Sequence, residues 1–164
     1  MSNPEVCLIW AQNCEGAIGK AGTIPWHSKK DFAKFRRETL DSPVIMGRKT
    51  WESLPKKPLP GRFNIIVSST MECREDAAVV RSFPEALALA KEEALDRLFI
   101  IGGAALYQEA LPFAHKVFVT TIDVDVDAAD TFAPVLTKDW ILIRAKEDTD
   151  EGIDLVFEEY IRKN

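Results

Sequence analysis

The chain has 164 residues, of which 46% are hydrophobic and 29% charged, with a net charge of −5. That length builds one substantial core and is short for two, so residues 1–164 are expected to form a single domain. The composition excludes a disordered chain or a repeat array, and an acidic chain without basic-aromatic interleaving is not expected to bind nucleic acid.

Met1 to Glu5 lacks a basic segment leading into a long apolar one, and the apolar run Val6 to Ala11 is too short to span a bilayer. A cytoplasmic protein with no membrane partner is expected, a monomer by default. Cys7, Cys14 and Cys73 make no metal-ligand spacing, so free thiols and no metal are expected. From Lys29 to Arg62 there are ten Lys/Arg against four Asp/Glu, and from Asp123 to the end five against twelve. Solvated faces explain such a split, and a basic half also suits a polyanionic small molecule.

In chain order, Val6 to Ala11 reads as a strand covered on both faces, as in the middle of a mostly parallel sheet. It leads into Gln12 to Gly22, where glycines at 16, 19 and 22 predict a long, mobile loop. The pattern is not the dinucleotide-binding Gly-x-Gly-x-x-Gly. Ser28 to Leu40 predicts a helix with Phe32, Phe35 and Leu40 turned inward, stopped by Asp41-Ser42-Pro43. Asp31 and Phe35 share a helix face. A carboxylate beside apolar surface is costly unless something hydrogen-bonds it, which points to a cationic or polyamide ligand. Ser28-Lys29-Lys30-Asp31 also fits a helix cap that needs no ligand.

Val44 to Met46 is a short buried strand, after which Gly47-Arg48-Lys49-Thr50 turns into a helix through Leu54. Cations at a helix start oppose its dipole, a poor choice for structure and a good one for phosphate. A stiff connection, Pro55 to Arg62, precedes the strand Phe63 to Val67 and the hydroxyl cluster Ser68-Ser69-Thr70. Ser82-Phe83-Pro84-Glu85 starts a helix through about Glu93 that reads as scaffolding. Arg97 to Ile101 is a buried strand, and Gly102-Gly103-Ala104-Ala105 after it is either a tight strand-to-helix corner or a phosphate turn. Lys116 to Ile122 is a further strand, and Ile141 to Ala145 with Leu155 to Ile161 flank an acidic turn, Glu147 to Gly152. The expectation is an α/β fold: one doubly wound domain, a mostly parallel central sheet with an antiparallel C-terminal edge strand, and helices on both faces. The strand ends at Gly47 to Thr50, Ser68-Ser69 and Gly102 to Ala105 suggest an extended dinucleotide.

An ordered series of motifs resembles dihydrofolate reductase from Leu8 to about Tyr160. It comprises Leu8-Ile9-Trp10-Ala11-Gln12, Ile18-Gly19, Ile24-Pro25-Trp26 with Asp31 five residues on, and Val44 to Ser53. Pro58-Leu59-Pro60-Gly61-Arg62, Ile100-Ile101-Gly102-Gly103 and Asp130-Thr131-Phe132 complete it. The resemblance implies hydride transfer from NADPH to C6 of dihydrofolate with a proton delivered to N5. Asp31 is then the acid that grips the pterin and supports protonation, with Ile24 and Trp26 as a wall over the reacting rings. Ile9, Trp10, Phe35, Leu54, Leu59, Ile101 and Thr120 match the substrate pocket, and Arg62, helped by Lys57, the site for the glutamate α-carboxylate. For the cofactor, Ala11, Ile18 and Gly19 would line the nicotinamide. Lys49, Thr50, Gly102, Gly103, Ala104, Ala105, Leu106 and Tyr107 would hold the pyrophosphate region, and Arg48, Ser68, Ser69 and Arg81 the 2′-phosphate and adenosine. The family also implies a cis peptide at Gly102-Gly103.

Ser28-Lys29-Lys30 stands where the family commonly has Leu-Pro-x, Ala104 and Ala105 where glycine and arginine often follow the glycine pair, and Ala129 where glycine precedes Asp130-Thr131. A reductase of a pyrimidine riboflavin precursor shares the fold, but has no use for an arginine that reads a glutamate carboxylate. A non-catalytic folate- or nucleotide-binding relative is the alternative from another class; retention of the acid, the glycine turn and the phosphate residues speaks against it.

Overall fold

The computed structural model describes residues 3–19 and 28–163. The continuous apolar runs form the middle of an eight-stranded sheet, where both pleat faces need cover. In chain order the elements are β1 (Glu5–Asn13), β2 (Ala17–Gly19), α1 (Lys29–Thr39), β3 (Pro43–Gly47), α2 (Arg48–Ser53), β4 (Phe63–Val67) and β5 (Ala78–Val80). There follow α3 (Phe83–Glu93), β6 (Arg97–Ile100), α4 (Ala104–Ala110), β7 (Lys116–Ile122), β8 (Thr131–Phe132), β9 (Trp140–Asp150) and β10 (Ile153–Arg162). The sheet order is β5-β4-β3-β6-β1-β7-β10-β9. The first six of these strands are parallel neighbours, and β10 pairs antiparallel with both β7 and β9.

Alternation along each strand divides two cores. Val6, Leu8, Trp10, Ile45, Ile65, Leu98, Ile100, Val117 and Val119 face α3 and α4. Cys7, Ile9, Val44, Met46, Ile66, Phe99, Ile101 and Phe118 face the side of α1 and α2, where Trp51 is buried and Phe35 packs from α1. Cys7 is a packing residue whose thiol burial pushes well above its ordinary pKa, as its place in an apolar run suggests.

Three local expectations are corrected and one unforeseen strand is added. The loop Gln12 to Gly22 is partly strand: Asn13 closes β1, and its side-chain oxygen accepts from the N–H of Glu15 and Ala17 (3.0 and 2.9 Å). Ala17–Gly19 then pairs with Thr131–Phe132 in a separate two-stranded ladder. On α1 the inward residue is Thr39, buried completely, whereas Phe32 is 44% and Leu40 38% exposed. Asp31, Phe35 and Thr39 are spaced i, i+4, i+8, so they form one stripe and Phe32 falls beside it. The acidic segment Glu147–Asp150 belongs to β9, because its pairing with β10 continues to Asp150 opposite Ile153. The turn is only Glu151-Gly152, both at positive φ (52° and 82°), as a two-residue hairpin turn requires. Finally, the three-residue β5 extends the sheet beyond β4.

Candidate functional site

In a parallel sheet with helices on both faces, ligands meet the carboxyl ends of the strands. Here β4, β3 and β6 lie side by side, so the segments after Val67, Gly47 and Ile100 share one edge, with β1 and β7 beside them. On the α1 side of this edge, Ile9 and Ala11 alternate with Trp10, Ala11 stands opposite Thr120, and Ile101 continues the line from β6. Phe35, Leu54 and Leu59 pack around these residues while remaining partly exposed.

α1 lays charge along this surface. Ser28 caps it by accepting from the Asp31 N–H at 3.2 Å, so the capping role holds. The Asp31 carboxylate accepts a hydrogen bond from Thr120 on β7; burial raises its pKa above the ordinary carboxylate value and the Thr120 bond opposes that rise. Eight residues along, about 12 Å at the helical rise, is Thr39. Its hydroxyl donates to the Phe35 carbonyl (2.8 Å) and accepts from Nη1 of Arg62 (3.1 Å). The Arg62 guanidinium also lies 5.9 Å from the Phe35 ring centre and donates from Nε to the Pro60 carbonyl (3.0 Å). Burial and the nearby Arg36 lower its pKa, so the cation is partly desolvated with no carboxylate partner among the described residues. Thr39 was not singled out from the sequence, although its i+8 spacing from Asp31 carries the signal. Nor was Asn64, 3% exposed, which clamps the loop bearing Leu59 and Arg62. Its Oδ1 accepts from the Leu59 N–H (2.9 Å), and its Nδ2 donates to the carbonyls of Leu59 and Arg62 (3.0 and 2.9 Å).

The residues expected at the cofactor divide into those the edge gathers and those it turns away. Gly102 has φ of 131°, and a Cβ there would stand 3.1 Å from Oγ1 of Thr50 and 3.3 Å from the Tyr107 hydroxyl. The Gly47 N–H donates to the Gly102 carbonyl at 2.9 Å, tying the ends of β3 and β6 together, and the Gly102–Gly103 peptide is cis. Among the described residues no side chain caps α2 or α4, whose first N–H groups follow Gly47 and Gly103. Arg48 and Lys49 are exposed at the start of α2, with Arg48 3.8 Å from Glu52. Ala104 and Ala105 open α4. Ser69 is exposed, whereas the buried Ser68 hydroxyl accepts from the N–H of Thr70 and Met71 (3.3 and 3.0 Å). Arg81 donates to the carbonyls of Ser68 and Met71 (2.8 and 2.6 Å), which fixes this turn. Ile18 and Gly19 lie in β2.

Three placements differ from expectation, and one expected pair is not described. Trp10 points to the opposite face from Ile9, its ring centre 5.2 Å from Tyr107 and its Nε1 donating to Gln12 (2.9 Å). Its side chain therefore leaves the substrate surface. Leu106 and Tyr107 point into the α3/α4 core, so α4 offers the edge its first backbone amides; the Tyr107 hydroxyl donates to the Ile9 carbonyl at 2.7 Å. Lys57 is exposed and donates to the Glu52 carbonyl at the end of α2 (3.0 Å), which directs its ammonium to that helix end. Ile24 and Trp26 lie outside the described residues.

A mostly parallel sheet carrying a half-buried acid, an apolar floor and a partly desolvated arginine in line, with glycine-bearing strand ends beside them, defines a doubly wound α/β protein with a ligand-facing carboxyl edge. A family model described as dihydrofolate reductase matches residues 5–162. The chain is 42% identical over 154 residues to the dihydrofolate reductase of Neisseria gonorrhoeae, covering 89% of this chain and 91% of that protein. It is 42% identical over 140 residues to the dihydrofolate reductase of Mycobacterium tuberculosis (strain CDC 1551 / Oshkosh), covering 82% and 83%. With dihydrofolate reductase type 3 of Salmonella typhimurium it shares 40% identity over 136 residues, 82% of each chain. The chain belongs to the dihydrofolate reductase family.

Proposed function

We propose that this chain reduces 7,8-dihydrofolate to tetrahydrofolate with NADPH, its family's reaction, and that α1 is the ruler along which the substrate is read. The carrying observation is the stripe Asp31, Phe35, Thr39 with Arg62 docked at its far end. An acid suited to an amidine-like ring edge, an aromatic surface and a carboxylate-binding guanidinium follow one another over about 12 Å. Dihydrofolate presents a pterin, a benzoyl ring and an α-carboxylate in that sequence.

Asp31 accepts from two parallel N–H donors of the pterin edge and, with water, supports delivery of a proton to N5. Its raised pKa suits that work, since a carboxyl that keeps its proton to higher pH is a better acid near neutrality. Thr120 orients it; Ile9, Ile101, Leu54 and Leu59 keep water from the ring. Arg62, directed by Thr39 and the Pro60 carbonyl, takes the α-carboxylate. The edge formed by β4, β3 and β6 suits NADPH: glycine at 102 lets this strand end pack closely on Thr50 and Tyr107, and the uncapped amides of α2 and α4 suit phosphate. There Lys49, Thr50 and Gly102 to Ala105 would hold the pyrophosphate, Arg48, Ser68, Ser69 and Arg81 the 2′-phosphate and adenosine, and Ala11, Ile18 and Gly19 the nicotinamide. When bound, the cofactor supplies the hydride. The single eight-stranded sheet from Glu5 to Arg162 supports reading residues 1–164 as one domain. Among the described residues no helix is long and apolar enough to cross a membrane. The free thiols of Cys7, Cys14 and Cys73 suit a reducing compartment, and we infer a cytoplasmic monomer.

The test is oxidation of NADPH, followed by the absorbance of its reduced nicotinamide, with and without dihydrofolate. Dihydrofolate-dependent oxidation is expected; oxidation indifferent to dihydrofolate contradicts the reading.

A further inference from the structure

The first turn of α1 is held from the far end of the chain. Asp150, the last residue of β9, accepts with a single oxygen, Oδ2, from the Ser28 hydroxyl (2.8 Å) and from the Lys30 N–H (3.1 Å). With its proton committed to Asp150, the Ser28 oxygen turns its lone pairs to the Asp31 N–H. Lys30 adds an ion pair from Nζ to Asp148 Oδ1 at 2.7 Å. Ser28 is 5% exposed, and its hydroxyl is satisfied on both sides.

Capping does not require such a partner. At α3, Ser82 caps with its own helix alone, bonding the Glu85 N–H (3.4 Å) and carboxylate (3.3 Å). α1 has Asp31 in the corresponding place, and that carboxylate faces Thr120 and the substrate surface. Asp150 stands where the acid of an ordinary capping box would help, and it adds a negative charge at the positive end of the helix. It comes from a stiff source, a strand end paired with Ile153 across the two-residue turn Glu151-Gly152.

We propose that Asp150 is a positioning residue for Asp31: through the Ser28 hydroxyl and the Lys30 N–H it fixes the first turn of α1, freeing Asp31 from capping and setting the direction in which its carboxyl meets the pterin. The inference rests on the role of Asp31 given above. It also gives the Ser28-Lys29-Lys30 sequence a purpose: the Ser28 hydroxyl and the backbone N–H groups of Lys30 and Lys29 all favour the Asp150 carboxylate, and the proline common at position 29 in the family would remove one of those N–H groups.

The experiment compares kcat, both KM values and the pH profile of kcat for the parent, Asp150→Ala and Asp150→Asn, with folding checked by circular dichroism. Asp150→Ala is expected to lower kcat about tenfold through misplacement of the acid, with the KM for NADPH unchanged. The midpoint of its pH profile should move, because Asp31 changes its burial and its distance from Thr120, the two influences on its carboxyl. Asp150→Asn keeps an acceptor oxygen and should restore most of kcat. A folded Asp150→Ala with the parent's kcat and pH midpoint overturns the proposal, as does an Asn variant no better than Ala. Where Asp150→Ala does not fold, Ser28→Thr and Ser28→Ala decide: the hydroxyl-bearing variant should keep kcat and the other lose it, and equal rates overturn the proposal. Asp31→Asn in the same assay separates the two levels. If it retains turnover, the role of Asp31 is wrong; if it loses turnover while Asp150→Ala does not, only the positioning role is.

Discussion

The face of the sheet under α3 and α4 is closed at its centre, where Phe83, Ala86, Ala90, Leu98, Ile100 and Val117 are buried essentially completely, and its partly exposed rim, Val67, Val80, Leu89 and Leu111 among it, carries no buried charge among the described residues. The face under α1 and α2 is closed only around Cys7, Val44, Met46, Ile66 and Phe99; toward the strand ends it opens onto partly exposed Phe35, Leu54 and Leu59, with Asp31 and Arg62 at either end. The closed face holds residues chosen for volume. The open one keeps a carboxyl with a raised pKa and a guanidinium with a lowered one, both desolvated at a cost to folding. Groups that cost stability and stay in place are explained by what they bind.

This contrast breaks if substitutions on the two faces have the same consequences. The largest effect is expected on the closed face: Phe83→Ala should remove about 3–5 kcal/mol of stability in urea unfolding, while the folded protein keeps its KM for dihydrofolate. Arg62→Ala on the open face should do the reverse. Its loss should raise the KM for dihydrofolate about tenfold or more, as expected for a charge-assisted hydrogen bond, and hardly move the unfolding midpoint. A rise in KM for Phe83→Ala, or a loss of stability for Arg62→Ala as large as that of Phe83→Ala, merges the two faces.

The smallest effect sharpens the contrast by its sign. Burial holds the folded pKa of Asp31 above its unfolded value, so the unfolded chain releases this proton first as pH rises. Stability from this group is fully present below the unfolded carboxylate pKa and is lost as pH rises through the folded one. Asp31→Asn, which cannot ionise, should therefore melt at a slightly higher temperature than the parent at neutral pH, with the difference closing in acid. A melting temperature below the parent's at neutral pH would make Asp31 a structural group.

Where the sequence was legible, physics was local. The runs Val6 to Ala11, Val44 to Met46, Phe63 to Val67 and Lys116 to Ile122 read as strands and are strands, buried except at ends such as Phe63, and the two serine caps announced α1 and α3. The stripe Asp31 and Phe35 was readable, but Thr39, polar and at the helix end, was passed over for Phe32 and Leu40, which are larger and more apolar. The open face explains why: part of α1's inner stripe serves the site rather than the core, so apolarity misleads there. β2, β8 and β5 are too short to show a period, and Glu147–Asp150 is strand only because β10 pairs with it. Trp10 shows the same limit at one residue: membership of an apolar run does not tell which face a side chain takes. Asp150 reaches Ser28 from 122 positions away, a closeness set by the sheet order, which no local pattern records.

If Asp31 is the acid at the reacting ring, turnover of NADPH and dihydrofolate against pH separates the parent from Asp31→Asn. The parent rate should fall as pH rises through a midpoint above the ordinary carboxylate pKa. The variant should be slower near neutrality by about a hundredfold or more and lack that midpoint. A variant that keeps the parent's rate and the same midpoint would show that Asp31 is not that acid.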